Sequence, residues 1–154
     1  MKIDDIYSLF SRSSGISTDT RTIKSKNLFF CLKGKNFNGN LFIDQAISLG
    51  ASFVIYDEEK LNHKSKRAFK VKNALETLQA LAKHHRSKFN IPVIGLTGSN
   101  GKTTSKELIN SVLSQKFNVT YTANNFNNHI GVPLTILKIN TKTDIAIIEM
   151  GANQ

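Results

Sequence analysis

A glycine-rich segment carries the clearest chemical signal in the chain. Thr97-Gly98-Ser99-Asn100-Gly101-Lys102-Thr103-Thr104 directly follows an apolar run at 91–96. Glycines let the backbone bend with positive φ and approach a phosphate closely, and the amides at the start of a following helix bind phosphate oxygens. Lys102 can neutralise the terminal phosphates, and the Thr103 hydroxyl can bind Mg²⁺. The segment therefore predicts a site for a nucleoside triphosphate and its magnesium ion.

This segment departs from the strict phosphate-loop pattern. The position of the first glycine falls on Leu96, so only the core Gly98-x-x-Gly101-Lys102-Thr103 remains. A glycine-rich turn with a solvated lysine is the alternative, but the order strand, loop, helix favours a phosphate loop. Lys102 is also predicted to be catalytic. The residues predicted to bind the nucleotide are Gly98, Ser99, Asn100, Gly101, Lys102, Thr103 and Thr104.

A carboxylate ends a later apolar run. Glu149 follows the run at 144–148, and we expect it at the same sheet edge as the phosphate loop. Mg²⁺ takes few protein carboxylates and keeps several waters, so Thr103 and Glu149 are the predicted metal ligands. A solvated glutamate at a strand end is the alternative, although packing does not explain an acidic residue between apolar neighbours. Glu149 is also predicted to be catalytic.

An asparagine-rich segment follows a predicted strand. Four of the five residues at 124–128 are asparagine, more than a turn requires. Amide side chains both donate and accept hydrogen bonds, so they can bind phosphates, hydroxyls and carboxylates. A polar turn is the alternative. We predict that Asn125 and Asn128 bind substrate.

Apolar periodicity predicts the elements that position these residues. The first part is expected to contain helices and strands at 3–10, 27–32, 41–49 and 52–56, with a helix at 74–86 after it. From residue 92 the pattern becomes strand, helix, strand, helix, strand, at 93–96, 102–115, 117–121, 130–138 and 144–149. Such an order predicts a parallel sheet that binds ligands at the carboxyl ends of its strands.

These elements predict a two-part α/β chain. A small α/β domain at 1–88 is expected to precede the first part of a parallel-sheet, phosphate-loop domain at 89–154, with the boundary between about 72 and 90. A three-stranded parallel unit leaves a sheet edge open, so we expect the N-terminal piece of a longer protein. The helix at 102–115 is expected to bury Leu108, Ile109, Val112 and Leu113.

Composition restricts the functional class. The 154 residues carry a net charge of +10, which favours anionic ligands. The basic residues are spread out, and no basic motif with interleaved aromatic residues indicates nucleic-acid binding. Cys31, the single cysteine, lies in an apolar run and is expected to be buried and inert. The sequence shows no signal peptide and no sufficiently long apolar run, so we predict a cytoplasmic protein. We also predict that it is a monomer and binds no nucleic acid.

Several ordered motifs resemble the ATP-dependent Mur ligase family, and most closely its dipeptide-adding type. The resemblance covers essentially the whole chain, although Asn124 stands where relatives often have glycine and His129 where an acidic residue is common. The matching segments are Ser17-Thr18-Asp19-Thr20-Arg21, 27–34, 37–43, 97–103, Asn125-x-Asn127-Asn128-x-Ile130-Gly131-Val132-Pro133-Leu134-Thr135 and Ile148-Glu149-Met150-Gly151-Ala152-Asn153.

The resemblance implies an enzyme of three domains. The first would bind the UDP end of the substrate, the second ATP, and the third would close over both. ATP would phosphorylate the terminal carboxylate of UDP-N-acetylmuramoyl-tripeptide, and the amine of D-alanyl-D-alanine would attack the acyl phosphate. The residues implied near the uridine nucleotide are Thr18, Asp19, Thr20, Arg21, Lys33, Gly34, Asn38, Gly39 and Asn40.

Alternative functions remain at this point. Arg21 suits a diphosphate and an ion pair with a buried Asp19 equally well. A sister ligase that adds another amino acid is the nearest alternative function, and a non-catalytic nucleotide-binding module is a second. A basic nucleic-acid-binding protein is a third, which the charge permits but no motif supports.

Overall fold

The computed structural model describes residues 1–151 and contains two compact units. The first is Met1–Leu81, and the second begins at Ala82. The boundary falls within a single long helix, so the chain passes from one unit to the next without a loop. None of the helices in the described part of the chain is long and apolar enough to cross a membrane.

The first unit is built on a parallel sheet of four strands in the order β1-β2-β5-β6. A short antiparallel hairpin of β3 and β4 extends from it, and 3₁₀ turns lie at Thr20–Thr22 and Gly39–Phe42. Its elements are α1 (Ile3–Ser11), β1 (Ile16–Ser17), β2 (Leu28–Phe30), β3 (Lys33–Gly34), β4 (Phe37–Asn38), α2 (Ile43–Ser48), β5 (Phe53–Tyr56), β6 (Ala68–Lys70) and the start of α3 (Ala74–Arg86).

Sequence periodicity predicts only the two central strands of this sheet, β2 and β5. Their side chains are almost completely buried, which gives them long apolar runs. The outer strands β1 and β6 have two and three residues, too few to show an alternating pattern. Cys31, after β2, is buried as expected, and burial raises the pKa of its thiol to about 12, which makes it unreactive.

The second unit contains a three-stranded parallel sheet in the order β7-β9-β8. The central strand is β9, the last strand in the described part of the chain, and its residues Ala146, Ile147 and Ile148 are buried. This arrangement brings the carboxyl ends of three strands to one edge. The elements after α3 are β7 (Val93–Leu96), α4 (Lys102–Leu113), β8 (Val119–Tyr121), α5 (Gly131–Ile136) and β9 (Ile145–Glu149).

The expected burial along α4 is partly wrong. Leu108 and Val112 are 65% and 71% exposed, whereas Ile109 and Leu113 are half-buried. The fully buried side chain of this helix is Lys106. Since the helix turns about 100° per residue, positions 106, 109 and 113 share one face, and positions 108 and 112 lie on a different one.

Candidate functional site

The glycine-rich loop joins β7 to α4 and has the conformation that its two glycines permit. Gly98 has φ of 130° and Gly101, the residue before α4, has φ of 78°. Side-chain-bearing residues rarely adopt these values. A Cβ added to either glycine would meet no atom within 4 Å, so conformation rather than crowding requires glycine here.

The first turn of α4 presents Lys102, Thr103 and Thr104. The free amides of a helix start and the helix dipole together favour an anion, and this turn contains no acidic residue that would occupy them. The Lys102 ammonium group donates a hydrogen bond to the Gly98 carbonyl, which folds the side chain back over the loop. These features agree with the predicted conformation of the loop, and phosphate binding by its residues stays a prediction.

Glu149 lies at the carboxyl end of β9 and is only 1% exposed, so it is not a solvated residue at a strand end. Thr103 Oγ1 donates to its carboxylate, at 3.1 Å from Oε1 and 3.3 Å from Oε2. The two predicted metal ligands, 46 positions apart in sequence, are therefore brought together. The Glu149 backbone N–H donates to Thr122 Oγ1 at 2.9 Å, which anchors the end of the strand.

Hydrogen bonding keeps the Glu149 carboxylate ionised despite its burial. Burial acts to raise its pKa, but hydrogen bonds from Asn127, Lys106 and Thr103, with the positive charge of Lys106, bring the pKa below its usual value. A buried carboxylate held in this ionised form is available as an oxygen ligand for a cation.

Lys106 is a residue in contact with Glu149 that sequence reasoning missed. It is fully buried, and its Nζ lies 3.2 Å from Glu149 Oε2 and 3.3 Å from Glu107 Oε1. It also donates to the Asn124 carbonyl at 2.7 Å. Lysine is almost never fully buried unless paired. A charged residue aligned with Ile109 and Leu113 on the inner face of α4 was the signal that could have found it.

Within the asparagine segment, Asn127 is the residue whose side chain donates to Glu149. Its Nδ2 donates to Glu149 Oε1 at 2.9 Å, and its carbonyl accepts from the Gly151 N–H. Asn128 Oδ1 accepts from the N–H groups of Ile130 and Gly131 at the start of α5. The structure thus assigns Asn128 a helix-capping contact and leaves Asn125 exposed. Substrate binding by Asn125 and Asn128 stays a prediction.

Asn124 explains one departure from the family pattern. Its φ is 50°, a left-handed conformation in which glycine is favoured and asparagine is the best-tolerated alternative. At Gly131 the requirement for glycine is steric, because a Cβ there would lie 2.5 Å from the backbone carbon and oxygen of Phe126. Both residues shape the turn that brings Asn127 to Glu149.

The donor set fits a magnesium ion. A hydroxyl and a carboxylate, with phosphate oxygens and water completing the shell, is the kind of site that Mg²⁺ uses. Among the described residues, no group of three or more histidine, cysteine, aspartate or glutamate side chains forms a metal cage. Thr103 and Glu149 therefore suit an ion that arrives with a nucleotide.

In the first unit, most predicted uridine-site residues belong to two local networks. Asp19 accepts from the backbone N–H of Arg21 and pairs with its guanidinium, at 3.0 Å from Nε. Arg21 thus pairs with Asp19, but the carboxylate side chain is 36% exposed rather than buried. The pair lies in an open position with the Arg21 side chain 86% exposed.

The second network joins the β3–β4 hairpin to the end of β5. Asn40 donates to Asp57 Oδ1 at 3.0 Å, and Lys33 Nζ lies 3.4 Å from both Asp57 Oδ1 and Glu58 Oε2. Asn38 donates to Glu58 at 3.3 Å. Sequence reasoning missed Asp57 and Glu58, because neither belongs to a motif.

Gly39 packs closely against the backbone that follows β2. A Cβ at this position would lie 2.7 Å from the Leu32 carbonyl oxygen and 2.9 Å from its nitrogen. This close contact between two backbone segments therefore brings together four of the predicted residues: Lys33, Asn38, Gly39 and Asn40. Gly34 lies in β3, and Thr18 and Thr20 flank Asp19.

Two family profiles match the chain. The profile described as "Mur ligase family, catalytic domain" matches residues 12–86, and the one described as "Mur ligase middle domain" matches residues 96–154. The chain belongs to the Mur ligase family. Of the last family motif, Ala152 and Asn153 lie outside the residues that the structure describes.

Two Mur ligases with similar sequences carry the same name. The UDP-N-acetylmuramoyl-tripeptide–D-alanyl-D-alanine ligase of Bacillus subtilis is 44% identical over 89% of this chain and 30% of its own length. The enzyme of that name from Synechocystis is 47% identical over 90% of this chain and 31% of its own length. This chain therefore spans about 30% of the length of these two relatives.

Solved Mur ligase structures confirm the predicted α/β fold with parallel sheets. MurF from Acinetobacter baumannii aligns with a TM-score of 0.84 and 28% identity, over 99% of this chain and 36% of that chain. The MurF ligase of Thermotoga maritima, solved in complex with ADP, aligns with a TM-score of 0.80 and 35% identity, over 95% of this chain and 33% of that chain.

Proposed function

We propose that this chain supplies the precursor-binding and ATP-phosphate-binding parts of a ligase that joins D-alanyl-D-alanine to UDP-N-acetylmuramoyl-tripeptide. Residues 1–88 would bind the UDP end of the precursor, and residues 89–154 would bind the phosphates of ATP. The observation that carries the proposal is the contact of Thr103, in the first turn of α4 after the glycine-rich loop, with Glu149 at the end of β9. The names of the similar ligases support the choice of substrates.

The residues of the loop would act mainly by position and charge. Backbone amides at 98–104 would bind the terminal phosphates, and Lys102 would leave the Gly98 carbonyl to neutralise them. Magnesium bound by Thr103 and Glu149 would withdraw charge from the phosphate oxygens. In phosphoryl transfer such positioning and neutralisation provide most of the catalysis.

The proposed reaction has two steps. A carboxylate oxygen of the tripeptide attacks the terminal phosphorus of ATP, which forms an acyl phosphate and releases ADP. The amine of D-alanyl-D-alanine then attacks the acyl carbon through a tetrahedral intermediate, loses a proton, and expels inorganic phosphate. In the described part of the chain, Lys102 and the first turn of α4 are the groups suited to the first step.

Titration of the chain with Mg-ATP tests the phosphate site. We expect Lys102→Ala to abolish nucleotide binding and leave the far-UV circular dichroism spectrum unchanged, because the side chain is not buried and its ammonium group donates to a loop carbonyl. Lys142→Ala removes an exposed lysine from the same unit and is the matched control. Unchanged Mg-ATP affinity in the Lys102 variant would contradict the proposal.

Calorimetry with UDP-N-acetylmuramoyl-tripeptide, with UDP as the comparison, tests the first unit. Saturable binding of both ligands is the expected result, with the precursor binding more tightly because it offers more contacts. If neither ligand binds while Mg-ATP does, the uridine-site assignment for the first unit fails and the phosphate-site assignment stands. Cytoplasmic location and a monomeric state remain predictions.

A further inference from the structure

Lys106 is a charged side chain buried in the second unit without a part in the proposed reaction. It is 0% exposed, and its ammonium group has three oxygen contacts, with Glu149, Glu107 and the Asn124 carbonyl. Removing an ammonium group from water is strongly unfavourable unless such contacts replace the lost hydration. The three oxygen contacts therefore indicate the role of the Lys106 ammonium group.

These contacts connect three separate parts of the unit. Lys106 belongs to α4, Glu149 ends the central strand β9, and Asn124 lies in the asparagine segment after β8. The positive φ of Asn124 is part of the turn whose carbonyl accepts from Lys106. One ammonium group thus holds the helix that follows the phosphate loop, the strand end and the asparagine segment together.

The Glu149 carboxylate is restrained at both of its oxygens. Asn127 donates to Oε1 at 2.9 Å, and Lys106 lies 3.2 Å from Oε2. Thr103 Oγ1 is within 3.3 Å of both oxygens. Because two donors from different elements fix the plane of the carboxylate, its orientation toward Thr103 does not depend on a bound ion.

We propose that Lys106 is a positioning residue for the magnesium site: its buried ammonium group holds the Glu149 carboxylate in place beside Thr103. This inference rests on the proposed nucleotide site. Groups that orient a metal ligand commonly contribute 10–100-fold to metal affinity. Lys106 would therefore increase the gain in nucleotide affinity that Mg²⁺ provides and leave metal-free nucleotide binding unchanged.

The experiment compares ADP binding in MgCl₂ and in EDTA for the unmodified chain and for Lys106→Met. We expect the methionine variant to reduce the magnesium-dependent gain about tenfold, with ADP affinity in EDTA unchanged. Glu107→Gln is the matched control, because it removes the charge of the exposed carboxylate beside Lys106 and leaves Glu149 unchanged. An unchanged gain in Lys106→Met would overturn the inference.

A double-mutant cycle with Glu149→Gln distinguishes positioning from general structural support. If Lys106 acts through Glu149, Lys106→Met causes no further loss of the magnesium-dependent gain in the Glu149→Gln background. Additive losses would overturn the inference. If Lys106→Met does not fold, Lys106→Gln, which keeps an amide donor in the pocket, provides the same comparison. Absence of ADP binding by the unmodified chain would overturn the proposed function and this inference together.

Discussion

At the scale of single residues, hydrogen bonds and an ion pair offset the cost of burying the charged Glu149 carboxylate. A 1% exposed carboxylate is stable here because Asn127, Lys106 and Thr103 all donate to it. Removing one member of a buried pair leaves an uncompensated charge, whereas the intact pair contributes little net stability. The physical value of the arrangement is a carboxylate with a defined orientation at the edge of the sheet.

Gly131 provides a residue-scale prediction about stability. A Cβ at Gly131 would lie 2.5 Å from the backbone of Phe126, which cannot move aside as a flexible side chain can. We expect Gly131→Ala to lower the free energy of unfolding by about 1–3 kcal/mol, measured by urea denaturation.

Gly95→Ala is the control for that substitution. Its added Cβ would meet only the terminal methyl group of Met150, at 3.0 Å. A smaller loss of stability is expected, because the end of a methionine side chain adjusts easily. Equal losses in the two variants would contradict the close-approach explanation for Gly131.

At the scale of elements, Asp57 links the end of β5 to the start of α3. Its Oδ2 accepts from the Ala74 N–H at 3.0 Å, and its Oδ1 accepts from Asn40. Burial acts to raise the pKa of Asp57, but the hydrogen bonds from Ala74 and Asn40 and the charge of Lys33 bring it below the usual value. The carboxylate thus satisfies a free amide at the helix start and orders the β3–β4 hairpin.

This contact predicts a dependence of stability on pH. The folded pKa of Asp57 is lower than the unfolded value, so its contribution is complete above the unfolded pKa of about 3.9 and is lost as pH falls through the folded pKa. We expect Asp57→Asn to lower the unfolding free energy by about 1–3 kcal/mol at neutral pH and to flatten its decline in acid.

Denaturation midpoints of both proteins between pH 7 and the acid range would measure the effect. Glu59→Gln, which changes an exposed carboxyl group two residues further on, is the control. A variant whose stability declines in acid as steeply as that of the unmodified chain would contradict the role of Asp57.

At the scale of the whole molecule, the chain combines two units that the proposed reaction requires together. The matches to separate family profiles at 12–86 and 96–154 agree with that organisation. Its net charge of +10 suits anionic substrates such as a nucleoside diphosphate and ATP. Neither unit on its own carries the residues proposed for both substrates.

The chain by itself is expected to form no ligation product. These 154 residues span about 30% of the length of the two relatives described, and the proposed reaction is expected to need parts of a ligase beyond that span. Incubation with Mg-ATP, UDP-N-acetylmuramoyl-tripeptide and D-alanyl-D-alanine, followed by mass spectrometry, measures the product. Detection of the pentapeptide precursor would show that this chain contains a complete active site.

Local sequence was sufficient to predict the conformation of the glycine-rich loop and the strands that contain continuous apolar runs. The loop needs positive φ at Gly98 and Gly101, and those glycines are adjacent to the lysine and threonine that follow them. The strand β7 and the long helix α3 appear at their predicted bounds, because the apolar residues of β7 are consecutive and those of α3 recur at helical spacing. These features depend on neighbours in the chain.

Tertiary structure alone decided which side chains meet. Local pattern cannot give the sheet order β7-β9-β8 or the contact partners of Lys106. It also cannot show that Asn127, rather than Asn125 or Asn128, contacts Glu149. The Glu149 carboxylate contacts residues 22 and 46 positions away, and Lys106 contacts a carbonyl 18 positions away. Periodicity describes one element at a time, whereas such contacts form only when separate elements pack together.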